Sequence, residues 1–148
     1  MPVLVYRLMQ YSLLDVMSSE LGEAKANDFF RKAGFLAGQN FAQNVLNLSL
    51  NLTDFLDHLR RTMKDLKIGV LQMEKIDPIT GEMILTVGED LDCSGLPMTN
   101  ESVCTYDEGF ISGILFKYTG RRFDVTEVDC WANGNLVCRF RATPVSSC

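Results

Sequence analysis

The sequence predicts a single α+β domain over residues 1–148, in which helices pack on an antiparallel sheet. Three observations support this fold class. Apolar residues recur at helical spacing in the first half, and β-rich segments separated by turn residues follow in the second half. The length also suits one hydrophobic core. The expected order is three helices, a β-hairpin, a fourth helix and a second β-hairpin.

The first two helices are predicted from their apolar periodicity. Apolar residues recur every three or four positions between Val5 and Val16, and this helix should end near Gly22. A second helix is expected over residues 23–46, where Gly34 and Gly38 permit close packing. The third helix follows over residues 55–67 and ends by Gly69, with Thr53 and Asp54 as its expected N-caps.

The second half is predicted to contain four strands and one helix. Residues 70–76 and 83–87 form a hairpin around the turn Asp77-Pro78-Ile79-Thr80-Gly81, and residues 88–102 form a long irregular loop. Asp107-Glu108 opens a fourth helix that stops at Thr119-Gly120. Residues 123–130 and 136–142 form a second hairpin around Asn133-Gly134.

Composition and charge exclude several functional classes. The net charge of −5 argues against a surface that binds nucleic acid, and no segment reaches the ~20 consecutive apolar residues of a membrane span. The N-terminus has Arg7 within its apolar run and no small-residue cleavage site, which indicates an amphipathic helix and not a signal peptide. We therefore expect a cytoplasmic protein. In that reducing compartment, clustered cysteines bind metal or do chemistry more often than they form disulfides.

Four potential metal ligands lie in the last third of the chain: Cys104, Glu127, Cys130 and Cys138. Three thiolates and one carboxylate would fill the tetrahedral coordination of Zn²⁺, which would make the site structural and not catalytic. A disulfide between Cys130 and Cys138 is an alternative. Buried thiols without a metal are another, since free cysteine often simply fills the core.

The register of the last hairpin decides whether these ligands can meet. A two-residue turn places Cys130 and Cys138 on opposite sheet faces, whereas a three-residue loop pairs residues whose numbers add to 268 and sets the two thiols opposite each other. We predict the longer loop. A bulge near Asp129 is also needed, because Glu127 stands three residues before Cys130.

Three segments of the last third resemble the 4-vinyl reductase (hydrocarbon-binding) domain family, which is related to the sensory domains of phenol-responsive bacterial activators. They are CSGLP from Cys93, VCTYDEGFISGILFKYTG from Val103 and VTEVDCWANGNLVCRF from Val125. The resemblance implies a fold of the nitric-oxide-signalling and Golgi-transport ligand-binding type. It also implies a structural zinc on the Cys, Glu-x-x-Cys and Cys positions, which here are the four ligands named above.

The resemblance further implies a small apolar or aromatic ligand enclosed between helices and sheet. Phe30, Phe41, Phe110 and Trp131 are predicted to face inward and to line such a pocket, although they could equally fill the core. His58 is the one histidine in the sequence. It lies in a helical region comparable to that of the histidine that orients the ligand in phenol sensors; the alternatives are a histidine at the helix boundary or on the surface.

The first functional hypothesis is a zinc-stabilised sensory domain that signals through a partner, as a homodimer formed by its N-terminal helices. We expect no enzymatic activity, because the sequence has no nucleophile elbow, P-loop or dinucleotide fingerprint, and Asp107-Glu108 is better explained by helix capping. The alternatives are an enzyme or accessory protein of tetrapyrrole or aromatic metabolism, and an assembly scaffold with an acyl-filled cavity.

Two further cysteines, Cys93 and Cys148, lie outside the predicted zinc ligands and are expected to be incidental or reactive thiols.

Overall fold

The computed structural model describes residues 3–66, 68–88, 103–129 and 137–145. Its elements are the helices α1 (Val3–Leu21), α2 (Glu23–Val45), α3 (Leu52–Asp65) and α4 (Val103–Thr119) and the strands β1 (Val70–Ile76), β2 (Met83–Gly88), β3 (Phe123–Asp129) and β4 (Val137–Pro144). The predicted α+β class and the predicted order of elements are confirmed. Residues 89–102 of the expected long loop, and the expected turn at residues 132–135, lie outside the described residues.

The four strands form one antiparallel sheet in the order β1-β2-β4-β3. Strand β1 pairs with β2 in the first hairpin, and β3 pairs with β4 in the second. Strand β4 also pairs with β2, so it joins the two hairpins and lies inside the sheet. One face of the sheet carries the core. Its buried side chains alternate along the strands with exposed or half-buried ones, as expected when a single face is covered. The buried positions of the two inner strands are Met83, Leu85, Val87, Cys138, Phe140 and Ala142.

The first hairpin turn is fixed by one aspartate and one glycine. The carboxylate of Asp77 accepts the backbone N–H of Ile79 at 2.9 Å and that of Thr80 at 3.3 Å. These two bonds hold the pKa of Asp77 below its ordinary value. Gly81 has a φ of 81°, which costs little without a Cβ. The turn predicted from the Asp-Pro-Ile-Thr-Gly sequence is therefore the one that closes β1 onto β2.

The helices cover the sheet in successive layers. Helix α3 packs on β1, α4 packs on β3, α2 lies on α4, and α1 lies on α2. The core is mainly aliphatic, with Phe55 and Phe140 as its largest fully buried side chains. The interior between α3, α4 and the sheet is therefore the centre of the molecule.

Two helix starts differ from the prediction. The N-cap of α3 is Asn51, whose side chain accepts the N–H of Asp54 at 2.9 Å, and neither Thr53 nor Asp54 has this role. Asparagine caps as well as aspartate does, and the cap lies two residues before Thr53 and three before Asp54. Helix α4 begins at Val103, so Asp107 and Glu108 lie inside the helix and not at its N-terminus. The β-branched and small residues before Asp107 gave little helical signal.

Helices α2 and α4 are in backbone contact through four glycines. A Cβ at Gly34 or Gly38 would lie 2.2 and 2.1 Å from carbonyl oxygens of α4. A Cβ at Gly109 or Gly113 would lie 2.0 and 2.2 Å from carbonyl oxygens of α2. Both pairs follow a Gly-x-x-x-Gly spacing, so each helix presents a smooth stripe to the other. Higher numbers on α2 meet higher numbers on α4, and the two helices run parallel.

Helix α1 is apolar on a face that the other described residues do not cover. Leu14 is buried and Met17 packs against the core, whereas Leu8, Leu13 and Val16 are each more than half exposed. In the described part of the chain, no helix combines the length and the hydropathy that crossing a bilayer would need.

The glycine contact predicts the sign of a stability change. Gly38→Ala should lower the free energy of unfolding by about 1–3 kcal/mol, because the added methyl group would meet the backbone of α4. Without that contact, the same change would raise helix stability by about 1 kcal/mol. Urea denaturation followed by circular dichroism measures the difference. Ala33→Gly at an exposed position of α2 gives the propensity effect alone, and a stabilised Gly38→Ala variant would contradict the close contact.

Candidate functional site

A surface groove of about 450 Å³ lies between α3 and β1. Its volume falls within the range of small-molecule sites, roughly 300–1,000 Å³. Half of the residues that line it are apolar and half are polar. The aliphatic residues are Leu56, Leu71, Met73 and Ile76, and the polar residues are Thr53, Asp57, Arg60 and Gln72. The groove thus combines a hydrophobic surface with a charged rim.

The groove shares two lining residues with the centre of the fold. Leu56 and Leu71 also line a void of about 10 Å³ between α3, α4 and the sheet. The other walls of this void are aliphatic as well: Leu59, Met63, Leu85, Ile111, Ile114 and Leu115. A void of this size is at the lower limit for one water molecule, so the interior is closed in this conformation. Leu56 and Leu71 separate the open groove from the closed interior.

The two charged side chains of the groove lining, Asp57 and Arg60, belong to a cluster of three on α3 that also includes Arg61. Asp57 accepts a hydrogen bond from Arg60 at 2.8 Å and another from Arg61. The bond from Arg60 is the main reason that the pKa of Asp57 lies below its ordinary value. Two guanidinium groups share one carboxylate, and of the two arginines Arg60 lines the groove.

Helix α3 is held in place at its N-terminal end. The ring of Phe55 stacks on that of Tyr118 with centroids 3.8 Å apart, and the Tyr118 hydroxyl donates to the carbonyl oxygen of Leu50. Burial raises the pKa of Tyr118. His58 Nε2 accepts the backbone N–H of Asn47 at 3.2 Å, which ties α3 to the segment that follows α2. His58 therefore has a role at the helix boundary, and its predicted contact with a ligand stays a prediction.

The aromatic residues singled out in the sequence lie mostly between α2 and α4. Phe41 and Phe110 are in contact, with ring centroids 5.4 Å apart, and Phe30 is buried in the core. None of these three lines the groove or the void described above. Trp131 lies outside the described residues. The proposed role of these side chains in ligand binding is untested and stays a prediction.

The predicted zinc ligands lie partly outside the described residues. Cys104 is the second residue of α4, and Cys130 is not described. Glu127 pairs with Phe140 in the sheet, and Cys138 lies two residues before Phe140, so Glu127 and Cys138 belong to the same core-facing side. Among the described residues no group of three or more metal ligands occurs, but this search includes neither Cys130 nor the side chain of Cys104.

The hairpin geometry required for the zinc site is present up to Asp129. Asp129 pairs with Arg139, whose numbers add to the predicted 268, and the register shifts between Glu127 and Asp129. The bulge near Asp129 is therefore observed, and the one described pair beyond it has the register predicted for the longer loop; the loop itself lies outside the described residues. The predicted pairing of Cys130 with Cys138 stays a prediction, because Cys130 is outside the described part of the chain.

Glu108 joins three elements, and the sequence analysis missed this role. Its carboxylate is only 8% exposed; Oε1 accepts from Arg31 of α2 at 2.7 Å, and Oε2 accepts the backbone N–H of Glu127 in β3 at 2.7 Å. The expectation that Glu108 interacts with the α4 dipole from a helix end is thus wrong. Its spacing of three and seven residues from the buried Ile111 and Leu115 was the signal that it faces the core.

Comparison with protein families gives a match to the 4-vinyl reductase domain over residues 83–144, from the start of β2 to the end of β4. This match covers somewhat less than half of the chain. The match includes the two strands that meet at the centre of the sheet, helix α4, Glu108 and all four predicted zinc ligands. The family resemblance recognised from the sequence is confirmed.

Two curated proteins that are similar to this chain are uncharacterized proteins of Methanocaldococcus jannaschii, MJ0150 and MJ1642. They are 26% and 28% identical over 103 and 102 residues, which are 70% and 69% of the chain. The matched parts are 58% and 60% of those relatives. The chain therefore spans about three fifths of the length of the curated relatives it matches.

Solved structures share the fold at low sequence identity. A trafficking protein particle complex subunit 3 from Naegleria fowleri, covalently bound to palmitic acid, has a TM-score of 0.72 and 15% identity, covering 97% of this chain and 95% of its own. The phenol-responsive sensory domain of the transcription activator PoxR, solved with phenol, has a TM-score of 0.66 and 14% identity. The match covers 90% of this chain and 71% of the PoxR domain. A vinyl-4-reductase family protein from Methanocaldococcus jannaschii has a TM-score of 0.62 and 16% identity. The match covers 99% of this chain and 83% of that protein. These likenesses establish the fold.

The buried position of Glu108 predicts a large effect of its removal. Glu108→Ala should lower the free energy of unfolding by about 2–4 kcal/mol, because it leaves the Glu127 N–H and the Arg31 guanidinium without their acceptor. Glu108→Gln keeps an oxygen acceptor and should lose less. Thermal and urea unfolding measure both variants. Asp28→Asn, which breaks the exposed ion pair with Lys32, is the control and should change stability by under about 0.5 kcal/mol. An equally small change for Glu108→Ala would contradict the role assigned to this carboxylate.

Proposed function

We propose that this protein is a ligand-binding sensory domain for a small apolar molecule, which it holds at the groove between α3 and β1. The observation that carries the proposal is the position of this groove. It opens at the surface with a volume of about 450 Å³ and shares Leu56 and Leu71 with the aliphatic interior. A ligand in the groove would therefore press on the wall of the core and could change how α3 packs on the sheet.

The neighbouring structures support an apolar ligand. The PoxR sensory domain was solved with phenol, and the trafficking subunit is covalently bound to palmitic acid. Both proteins share the fold of this chain, and each accommodates a largely apolar molecule. The palmitate-bound subunit also supports the second candidate, an assembly scaffold that holds an acyl chain. We propose binding and not catalysis, because the charged groups in the groove lining, Asp57 and Arg60, are paired with each other.

We further propose that Cys104, Glu127, Cys130 and Cys138 hold a structural Zn²⁺. The support is the register of the last hairpin, which pairs Asp129 with Arg139 after the predicted bulge, and the common sheet face of Glu127 and Cys138. Thiolate and carboxylate ligands suit Zn²⁺, and a closed four-ligand site contributes to folding stability. The ion would fasten the end of the β3–β4 hairpin to the start of α4.

Output through a partner is also part of the proposal, with a second copy of the chain as the first partner. The apolar face of α1 includes Leu8, Met9 and Val16, each 58% exposed. Exposed apolar patches of this kind mark protein interfaces in soluble proteins. A homodimer formed by the N-terminal helices would cover this face.

Binding at the groove predicts how one substitution affects a neutral apolar dye. Ile76→Asp should weaken the binding of Nile red by at least about tenfold, because it places a carboxylate in the hydrophobic lining. Fluorescence titration measures the affinity. Ile79→Asp is the matched control, since Ile79 is 93% exposed in the turn beyond β1 and should leave the affinity unchanged. Equal affinities for the two variants would place the dye elsewhere.

The zinc proposal predicts one Zn²⁺ per chain in native mass spectra recorded without chelators. Cys130→Ser and Cys138→Ser should lose the ion and lower the folded yield together, because the ion contributes folding energy. Cys93→Ser is the control outside the ligand set and should retain zinc. A fully stable protein with no zinc would contradict the proposal.

The same spectra check the dimer, which should appear as a mass of two chains and dissociate in a Leu13→Asp variant.

A further inference from the structure

The groove lining carries one arginine and one aspartate, Arg60 and Asp57, and a second arginine, Arg61, binds the same aspartate from outside the lining. Arg60 and Arg61 bind the single carboxylate of Asp57, so this cluster has one more positive than negative group. The chain has a net charge of −5. A local positive site on an acidic protein is selective, because the remaining surface repels the same anions that the site attracts.

Arg60 has the geometry to bind a second anion. It belongs to the groove lining, and its side chain is 43% exposed. A guanidinium group has five N–H donors, and the bond to Asp57 uses one of them. The remaining donors can bind a carboxylate or a phosphate through two parallel hydrogen bonds. Arg60 can therefore hold an anion without first losing Asp57.

The charged rim and the hydrophobic lining lie on the same face of α3. Leu56 and Arg60 are four residues apart, which places their side chains next to each other at a distance of ~6 Å. From Leu56 the lining continues to Leu71 and then to the aliphatic interior. A ligand that extends from Arg60 towards Leu71 thus passes from a charged to a wholly hydrophobic environment.

We infer that the groove binds an amphipathic anion, with its negatively charged head on Arg60 and an aliphatic chain along Leu56 and Leu71. This inference rests on the proposed function and names the ligand class of the same site. An aliphatic chain fits better than an aromatic ring, because the apolar half of the groove lining and the whole lining of the interior void are leucine, isoleucine and methionine. Among the described residues, none that lines the groove or the void is aromatic, and the nearby ring of Phe55 on α3 is stacked on Tyr118.

Isothermal titration with four probes tests the inference: octanoate, octyl phosphate, 1-octanol and benzoate. Octanoate should bind the wild-type chain at least about tenfold more tightly than 1-octanol, because only the former has a charged head. Octyl phosphate shows whether a phosphate is preferred to a carboxylate. Benzoate has the carboxylate on an aromatic ring and should bind more weakly than octanoate.

Two arginine variants provide a matched comparison. Arg60→Gln and Arg61→Gln each remove one positive charge and one bond to Asp57, but only Arg60 lines the groove. Arg60→Gln should reduce octanoate affinity about tenfold, down to that of 1-octanol. Arg61→Gln should retain most of the preference for octanoate. Circular dichroism checks that both variants, which change exposed side chains, are folded.

The results separate this inference from the proposed function. If 1-octanol displaces Nile red and octanoate binds no better, the apolar site stands and the anionic head is refuted. If Arg60→Gln and Arg61→Gln have equal effects, the head does not lie in the groove. Binding of benzoate as tight as that of octanoate would refute the aliphatic chain. If no probe binds and Nile red does not bind either, the inference and the proposed function both fail.

Discussion

The backbone contact between α2 and α4 is the constraint on which the rest of the structure depends. Four glycines remove the side chains that would otherwise separate the two helices, and α4 can then lie between α2 and the sheet. Two parallel helices in such close contact have little freedom to slide, because each glycine faces a carbonyl group of the other helix. The position of α4 in turn determines the width of the interior that α3 and the sheet enclose. The size of any internal binding space is therefore set by residues that do not line it.

Glu108 adds a polar connection to this apolar arrangement. It links Arg31 of α2 to the backbone of Glu127 in β3, and it does so from the buried side of α4. The N–H that it accepts belongs to the residue just before the bulge, where the two sheet registers meet. A change in the position of the last hairpin would therefore directly alter the hydrogen bonds that Glu108 makes between β3, α4 and α2. Buried polar contacts of this kind favour one arrangement of elements over close alternatives, because a small shift leaves charged groups unpaired.

Much of the fold could be predicted from the sequence because its local signals agree with its tertiary contacts. The hairpin around Asp77 and Gly81 is encoded by turn residues whose side-chain and backbone geometry the structure reproduces. The bulge near Asp129 was predicted from the requirement that Glu127 and Cys130 face one ion. The start of α4 at Val103 could not be predicted, since its first residues favour strands and are helical through tertiary packing. The groove was also beyond sequence analysis, because its lining comes from two elements whose relative position depends on packing.

The place of β4 inside the sheet has a consequence for synthesis of the chain on the ribosome. Strand β4 is the last described strand in sequence, yet β2 and β3 are both bound to it and not to each other. Until residue 144 has left the exit tunnel, the inner edges of β2 and β3 have no partner and the hydrophobic face of the sheet is incomplete. The helices that emerge earlier can form locally, but they have no finished surface to cover. The domain therefore folds late in translation, and its nascent form has exposed strand edges of the kind that chaperones protect.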